Sequence, residues 1–250
     1  MANPVLNNTT FKNIVIESDV ARMSIKGTVY KSLALLLMVF AAGAFTWKVV
    51  NESIDPSAYT SWMFGGLIVG FILAMIITFK PKAAPWLSPL YAAAEGLVLG
   101  SVSAIYNNAF AATAPNIIVN AVLLTMLCAF IMLIFYRTGF IKVNGTFMRV
   151  LSVSLTTILV FYLGSWILSL FGVDMTLLHG ATPLSIGISI IITAVAAFSL
   201  IMDYYTIEQS ANLGAPKYME WYCAFGFMVT LIWLYLEILS LLAKFASSDR

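Results

Sequence analysis

Charge is what this chain has least of. Only 10 % of its 250 residues are Asp, Glu, Lys or Arg, against roughly 25 % in a soluble domain, so it lacks the polar groups to cover a water-facing surface. One histidine argues against zinc hydrolases, haem sites and Ser–His chemistry, all of which draw on imidazole. Two cysteines, Cys128 and Cys223, both in apolar runs, are too few for a disulfide framework and read as small core residues. A net charge of +2 leaves no basic field suited to nucleic acid. The first 27 residues hold no apolar run of signal-peptide length, which predicts no cleaved leader. Catalytic signatures are missing too: no G-x-S-x-G elbow, no H-E-x-x-H and no Gly-rich phosphate loop. An aspartic dyad of Glu95 and Asp203 would need a Gly-rich companion segment, and Tyr204 follows Asp203 without one. No enzyme is expected.

What is present is apolar: 61 % of residues are hydrophobic and mean hydropathy is +0.95. A span needs about 20 mostly apolar residues to cross a hydrocarbon core of about 30 Å. Seven stretches qualify, at about 28–50, 60–79, 84–106, 114–136, 147–171, 183–203 and 222–243. The expected fold is therefore an all-α integral membrane protein with seven transmembrane helices. Residues 1–27 form an N-terminal segment, 28–244 the membrane domain and 245–250 a short tail. Gly226 is a point where residues 216–225 can separate as an interfacial piece.

Orientation follows from the Lys/Arg bias of short loops. With the N-terminus in the cytoplasm, the inner side holds Lys12, Arg22, Lys26, Lys31, Lys80, Lys82, Arg137, Lys142, Arg149 and Lys217. The outer side holds only Lys48, Lys244 and Arg250. This asymmetry predicts the N-terminus inside and the C-terminus outside. Gly66, Gly70 and Ala74, and again Ala92, Gly96, Gly100 and Ala104, recur at four-residue spacing and mark close helix–helix contacts. Trp47, Tyr59, Trp62, Trp86, Tyr136, Tyr218 and Trp221 suit an aromatic belt at span ends.

Carboxylates inside spans are costly and face a bundle interior or a water-filled path. Glu95 lies mid-span in the third segment, Asp203 at the inner end of the sixth, and Glu237 deep in the seventh. No lysine or arginine is expected at comparable depth, so some of these acids must be protonated, share a proton or hold a cation. Thr230, Trp233, Glu237, Ser240 and Lys244 form one polar stripe, and Ser199 lies one turn before Asp203. Such a stripe suits a permeation or proton path, or equally an acid bonded to a neighbouring hydroxyl. Glu208 and Glu220 flank a 204–221 connection and read as solvated loop charges; the competing reading is a vestibule that gathers cations. His179 reads as a solvated loop residue able to respond to outside pH.

Asp203 in Ile-Met-Asp203-Tyr, Tyr235-Leu-Glu237 in the last span, Gly214-Ala-Pro-Lys-Tyr-Met-Glu-Trp-Tyr222 and Glu95-Gly96-Leu97 resemble the transmembrane Bax inhibitor motif family. They look like its bacterial YccA-like branch, over essentially the whole chain beyond the N-terminal tail. The resemblance implies six helices around a central acidic seventh, and a pH-gated calcium leak controlled by two hydrogen-bonded acids. Carried over, those acids are Asp203 and Glu237, which would also be the weak calcium ligands, with Glu95, Ser199, Thr230, Ser240, Glu208 and Glu220 as further ion-path candidates. Lys80 matches the family's basic latch after the second span. The expected surroundings are the lipid bilayer of a bacterial plasma membrane, with calcium and protons as the species moved and no resident cofactor.

Two departures bear on that transfer. The seventh-span acid is Glu where the family has Asp, and the two acids are 34 residues apart. With straight helices turning at Gly214–Pro216, Glu237 would lie roughly 15 Å deeper than Asp203 at 1.5 Å per residue. Direct pairing then requires residues 214–225 to be an inserted loop or interfacial helix, with the seventh span starting near Gly226. Two other readings use the same residues: a proton-coupled transporter, and an interaction protein that restrains a membrane protease through its N-terminal segment.

Overall fold

The computed structural model describes residues 21–52, 56–172 and 180–248, with the side chains of 56–59 excepted. Among them are seven long helices: α1 (Ile25–Glu52), α2 (Pro56–Phe79), α3 (Ala84–Ala109), α4 (Ile117–Arg137), α5 (Gly145–Leu170), α6 (Pro183–Asn212) and α7 (Met219–Ser248). All seven are long and apolar enough to cross a membrane. Helices are what lipid demands, because each backbone N–H and C=O must find its partner inside the segment. Large apolar side chains lie exposed along α2 (Phe64, Ile68, Phe71, Ile72) and α5 (Val150, Val153, Leu159, Val160), a surface only hydrocarbon can solvate. The chain is an all-α membrane protein. His179 lies outside the described residues.

The sixth and seventh helices differ from the sequence expectation. Helix α6 runs nine residues past Asp203 to Asn212, and α7 starts at Met219 and passes through the buried Gly226 without a break. The connection is only 213–218, not 204–221, and no separate interfacial piece exists. Hydropathy marks where the apolar stretch ends, whereas helix-forming Ile207, Glu208, Gln209 and Ala211 continue the backbone ladder. Gly214 then stops it with φ +69°. Its N–H donates to Ala211 O, and the Ala215 N–H reaches back to Ser210 O at 3.1 Å, satisfying carbonyls at the helix end.

Contacts divide the described residues into two units, one within 21–111 and 206–229, the other within 112–205 and 230–248. In the first, α3 packs against α1 and α2 through the small-residue stripes. A Cβ on Gly96 would lie 2.5 Å from Val39 O, and one on Gly100 would collide with Gly43 and Thr46. Gly66 and Gly70 face Ala94 and Glu95 in the same way. The segment before α1 is tied to the 213–218 turn: the Met23 N–H donates to Ala215 O and the Lys217 N–H to Ala21 O, both at 2.8 Å, with Arg22 and Pro216 bridged antiparallel. In the second unit, Leu151 of α5 and Met202 of α6 form a core with Phe147, Leu155, Val195 and Tyr205.

Candidate functional site

Glu237 sits well inside α7 and is 8 % exposed. Helical spacing puts Trp233 one turn before it, and the indole Nε1–H donates to Glu237 Oε1 at 3.0 Å. From α5, Tyr162 Oη donates to the same oxygen at 2.6 Å. Two donors on one oxygen is the arrangement a protonated acid uses, its carbonyl oxygen accepting while the other oxygen carries the proton. It equally anchors an ionised carboxylate by one atom and leaves the other facing outward. Thr230 is buried and Ser240 half-buried on the same stripe.

Lys244 is not the water-facing charge that its place near the end of the last span suggested. Counted from sequence as an outer-side charge, it is only 7 % exposed, and its ammonium donates to Ser189 Oγ of α6 at 2.6 Å. It lies two turns beyond Glu237 and close enough to interact with it electrostatically. Loop counting hid this, because it assigns any terminal lysine to water.

Asp203 is fully buried on α6. The next residue, Tyr204, turns away and donates to Ala129 O of α4 at 2.9 Å. Ser199, one turn before Asp203, spends its hydroxyl on the Val195 carbonyl at 2.9 Å. Glu237 is held by Tyr162 and Trp233. The condition set for direct pairing, a seventh span starting near Gly226, is not met. Glu237 lies 18 residues from the start of α7, roughly 27 Å along the axis, and Asp203 nine residues from the end of α6, roughly 14 Å.

In the other unit, Glu95 is half-buried in α3 and takes a hydrogen bond from Tyr91 one turn earlier. Its carboxylate lies against Gly70 of α2, where a Cβ would come within 3.1 Å of Oε1. Tyr91 packs edge-on against Phe225, with ring centroids 4.8 Å apart. Glu95 is thus a membrane-embedded acid at the α2–α3 contact.

Glu220 is neither a solvated loop charge nor a vestibule residue. It occupies the first turn of α7, is 0 % exposed, and forms an ion pair with Lys31 of α1. Its Oε1 also accepts from the Ser24 backbone N–H at 2.9 Å and from Ser24 Oγ at 3.1 Å. Gly27 makes room: a Cβ there would overlap the carboxylate. The Lys31 ammonium additionally lies over the Trp221 ring, 5.5 Å from its centroid. Glu208 is a half-buried residue of α6 rather than of a loop. Lys80 is exposed and in no ion pair among the described residues.

Sequence reasoning missed Tyr162, Ser189, Ser24 and the role of Lys31. Each sits on a different helix or segment from its acid or cation, so no local spacing announces it. Among the described residues no three His, Cys, Asp or Glu gather to hold a metal. The family model for Bax inhibitor 1 like proteins matches residues 3–247. Neither the curated proteins nor the solved structures give a match to the chain.

Proposed function

The chain belongs to the Bax inhibitor 1 like family, and from that premise we propose that it is a pH-sensitive cation leak in its membrane, with Glu237 as the protonatable gate and calcium as a transported ion. The observation that carries this reading is the single anchored oxygen of Glu237 in mid-span, held by Tyr162 and Trp233. With a proton on Oε2 the side chain is neutral and the path offers a cation nothing. Once the proton leaves, a carboxylate held by two donors presents a negative charge in a low-dielectric setting, where it attracts a cation strongly. Asp203, fully buried on α6, is the second acid of this reading.

Calcium prefers six to eight oxygens at 2.3–2.6 Å. A calcium ion passing two carboxylates would keep much of its shell as water, which suits a weak, leaky site. Flux then rises with pH as Glu237 loses its proton. Calcium entry into liposomes at pH 6, 7 and 8 tests this: Glu237→Gln should flatten the pH response, and an unchanged response would remove Glu237 from the gate.

A second reading, an interaction protein that restrains a membrane protease, draws on one observation. Residues 21–24 are tied to the start of α7 through Pro216, Ala215 and Glu220. A partner that grips the N-terminal segment would therefore act on the helix that carries Glu237. Deleting residues 1–20 should abolish such regulation while leaving cation flux intact.

A further inference from the structure

Between Glu95 and Asp174 the sequence has no acid, and its only charged residues there are Arg137, Lys142 and Arg149. They gather around one turn: Arg137 ends α4, Lys142 lies in the connection, and Arg149 follows in the second turn of α5. All three are exposed, and none joins an ion pair among the described residues. The connection folds back on α4, where the Ile141 N–H donates to Phe135 O at 3.3 Å and the Phe135 and Phe140 rings pack with centroids 4.8 Å apart. Lys142 is thereby held at the end of α4 that carries Arg137. Phe140 stays 76 % exposed, an apolar ring among cations, which is the composition of a surface that lies at a lipid headgroup layer. The far ends of both helices, residues 110–117 and 164–172, carry no charge.

Arg149 also heads a groove. Ser152, Val153, Thr156, Thr157 and Val160 line a groove of about 390 Å³ on α5, and they follow Arg149 at the three- and four-residue steps that share one helix face. The opposite face of α5 is taken, because Phe147, Leu151 and Leu155 pack with Val195 and Met202 of α6. Thr156 donates its hydroxyl to Ser152 O and Thr157 to Val153 O, both at 2.9 Å, so neither threonine asks an occupant to accept a hydrogen bond. The groove therefore suits an apolar chain. From Arg149 to Val160 the helix rises roughly 16 Å. That is about half of a hydrocarbon core of about 30 Å, the depth of one leaflet.

We propose that this face of α5 binds an anionic phospholipid, with its phosphate on Arg149, Lys142 and Arg137 around the headgroup, and an acyl chain along the groove. Charge complementarity selects the headgroup: three cations without a carboxylate partner meet a negative phosphate, and the guanidinium fork matches two of its oxygens. The apolar stem of Arg149 can lie along the helix while its head reaches the phosphate plane. Depth selects the chain, since the groove runs from the level of Arg149 to the middle of the bilayer. A second copy of the protein, packed on this face in the same membrane orientation, would bring cations against cations. The site does not rest on Glu237 gating ions.

Native mass spectrometry of the full chain in detergent tests the site, with dioleoylphosphatidylglycerol, dioleoylphosphatidylcholine and glycerol 3-phosphate titrated in separate series. The expected result is saturable binding of phosphatidylglycerol, with phosphatidylcholine much weaker and glycerol 3-phosphate, which has no acyl chain, not retained. Arg149→Gln should weaken phosphatidylglycerol about fivefold, the effect of one cation at an anionic surface. Val153→Trp, which fills the groove and leaves every charge in place, should weaken it as well and decides the case if Arg149→Gln does not fold. Lys82→Gln, which removes an exposed cation from a different turn, should leave binding unchanged. Equal binding of the two phospholipids would overturn the proposal, as would equal losses in Arg149→Gln and Lys82→Gln, which would mean diffuse attraction without a site. Retention of glycerol 3-phosphate as tight as that of the lipid would overturn the groove's part. A dimer that Val153→Trp breaks while lipid binding persists would give the groove to a second copy of the chain.

Discussion

Lys31 and Glu220, 189 residues apart in the chain, form an ion pair whose carboxylate is fully buried. Ser24 adds two more hydrogen bonds to the same acid. The first helix and the last are thereby fastened at one end. Removing one member of such a pair leaves the other charge uncompensated, at a cost of about 3–5 kcal/mol when both are buried. Lys31 keeps 17 % side-chain exposure, so the lower end applies. Glu220→Ala should destabilise the protein by about 3 kcal/mol, and Lys31→Met/Glu220→Met should recover most of that loss, as read by denaturation in mixed micelles. Equal losses in the single and double variants would show that the pair is not what holds this end.

Gly27 carries a separate prediction. Its missing side chain is the space that the Glu220 carboxylate occupies. A methyl group there would displace the acid from Ser24 and Lys31. Gly27→Ala should cost about 2 kcal/mol, in the range of overpacked cores, even though alanine is the better helix former. A gain in stability would mean that the carboxylate has room elsewhere.

Tyr162→Phe isolates the donor that reaches Glu237 from another helix. A hydrogen bond to a charged group is worth about 2 kcal/mol, and it favours the ionised carboxylate over the neutral acid. Without it, the pH at which calcium flux is half-maximal should move upward while flux at high pH remains. A loss of flux at every pH would make Tyr162 a structural residue instead.

The α1–α3 contact is close enough to forbid side chains. Gly100 faces Gly43 and Thr46, and Gly96 faces Val39 and Ala42. Gly100→Leu should separate these helices and lower the thermal midpoint in detergent sharply. Gly65, whose Cβ would meet nothing within 4 Å, should accept alanine without measurable loss. Equal tolerance at both positions would contradict the packing described.

Much of this architecture was legible in the sequence, and the parts that were not share a cause. The apolar runs placed all seven helices, because lipid solvation depends on composition alone. Their ends were not legible where helix and membrane part company: α6 continues to Asn212 after its apolar stretch stops, and Gly214 ends it. Glu237 and Asp203 stood out as acids within apolar runs. The donor to Glu237 did not, since Tyr162 lies on another helix, 75 residues away in the chain. Glu220 read as a loop charge because Lys31 and Ser24 lie at the far end of the chain. Lys244 read as wet because it sits near the C-terminus, yet Ser189 of another helix receives it.

Calcium flux into liposomes across pH 6, 7 and 8, with Glu237→Gln beside the wild type, tests the central claim most directly. The account predicts wild-type flux that rises with pH and a variant whose flux no longer follows pH. Wild-type and variant curves that coincide at every pH would contradict it and leave Glu237 as a structural acid between Tyr162 and Trp233.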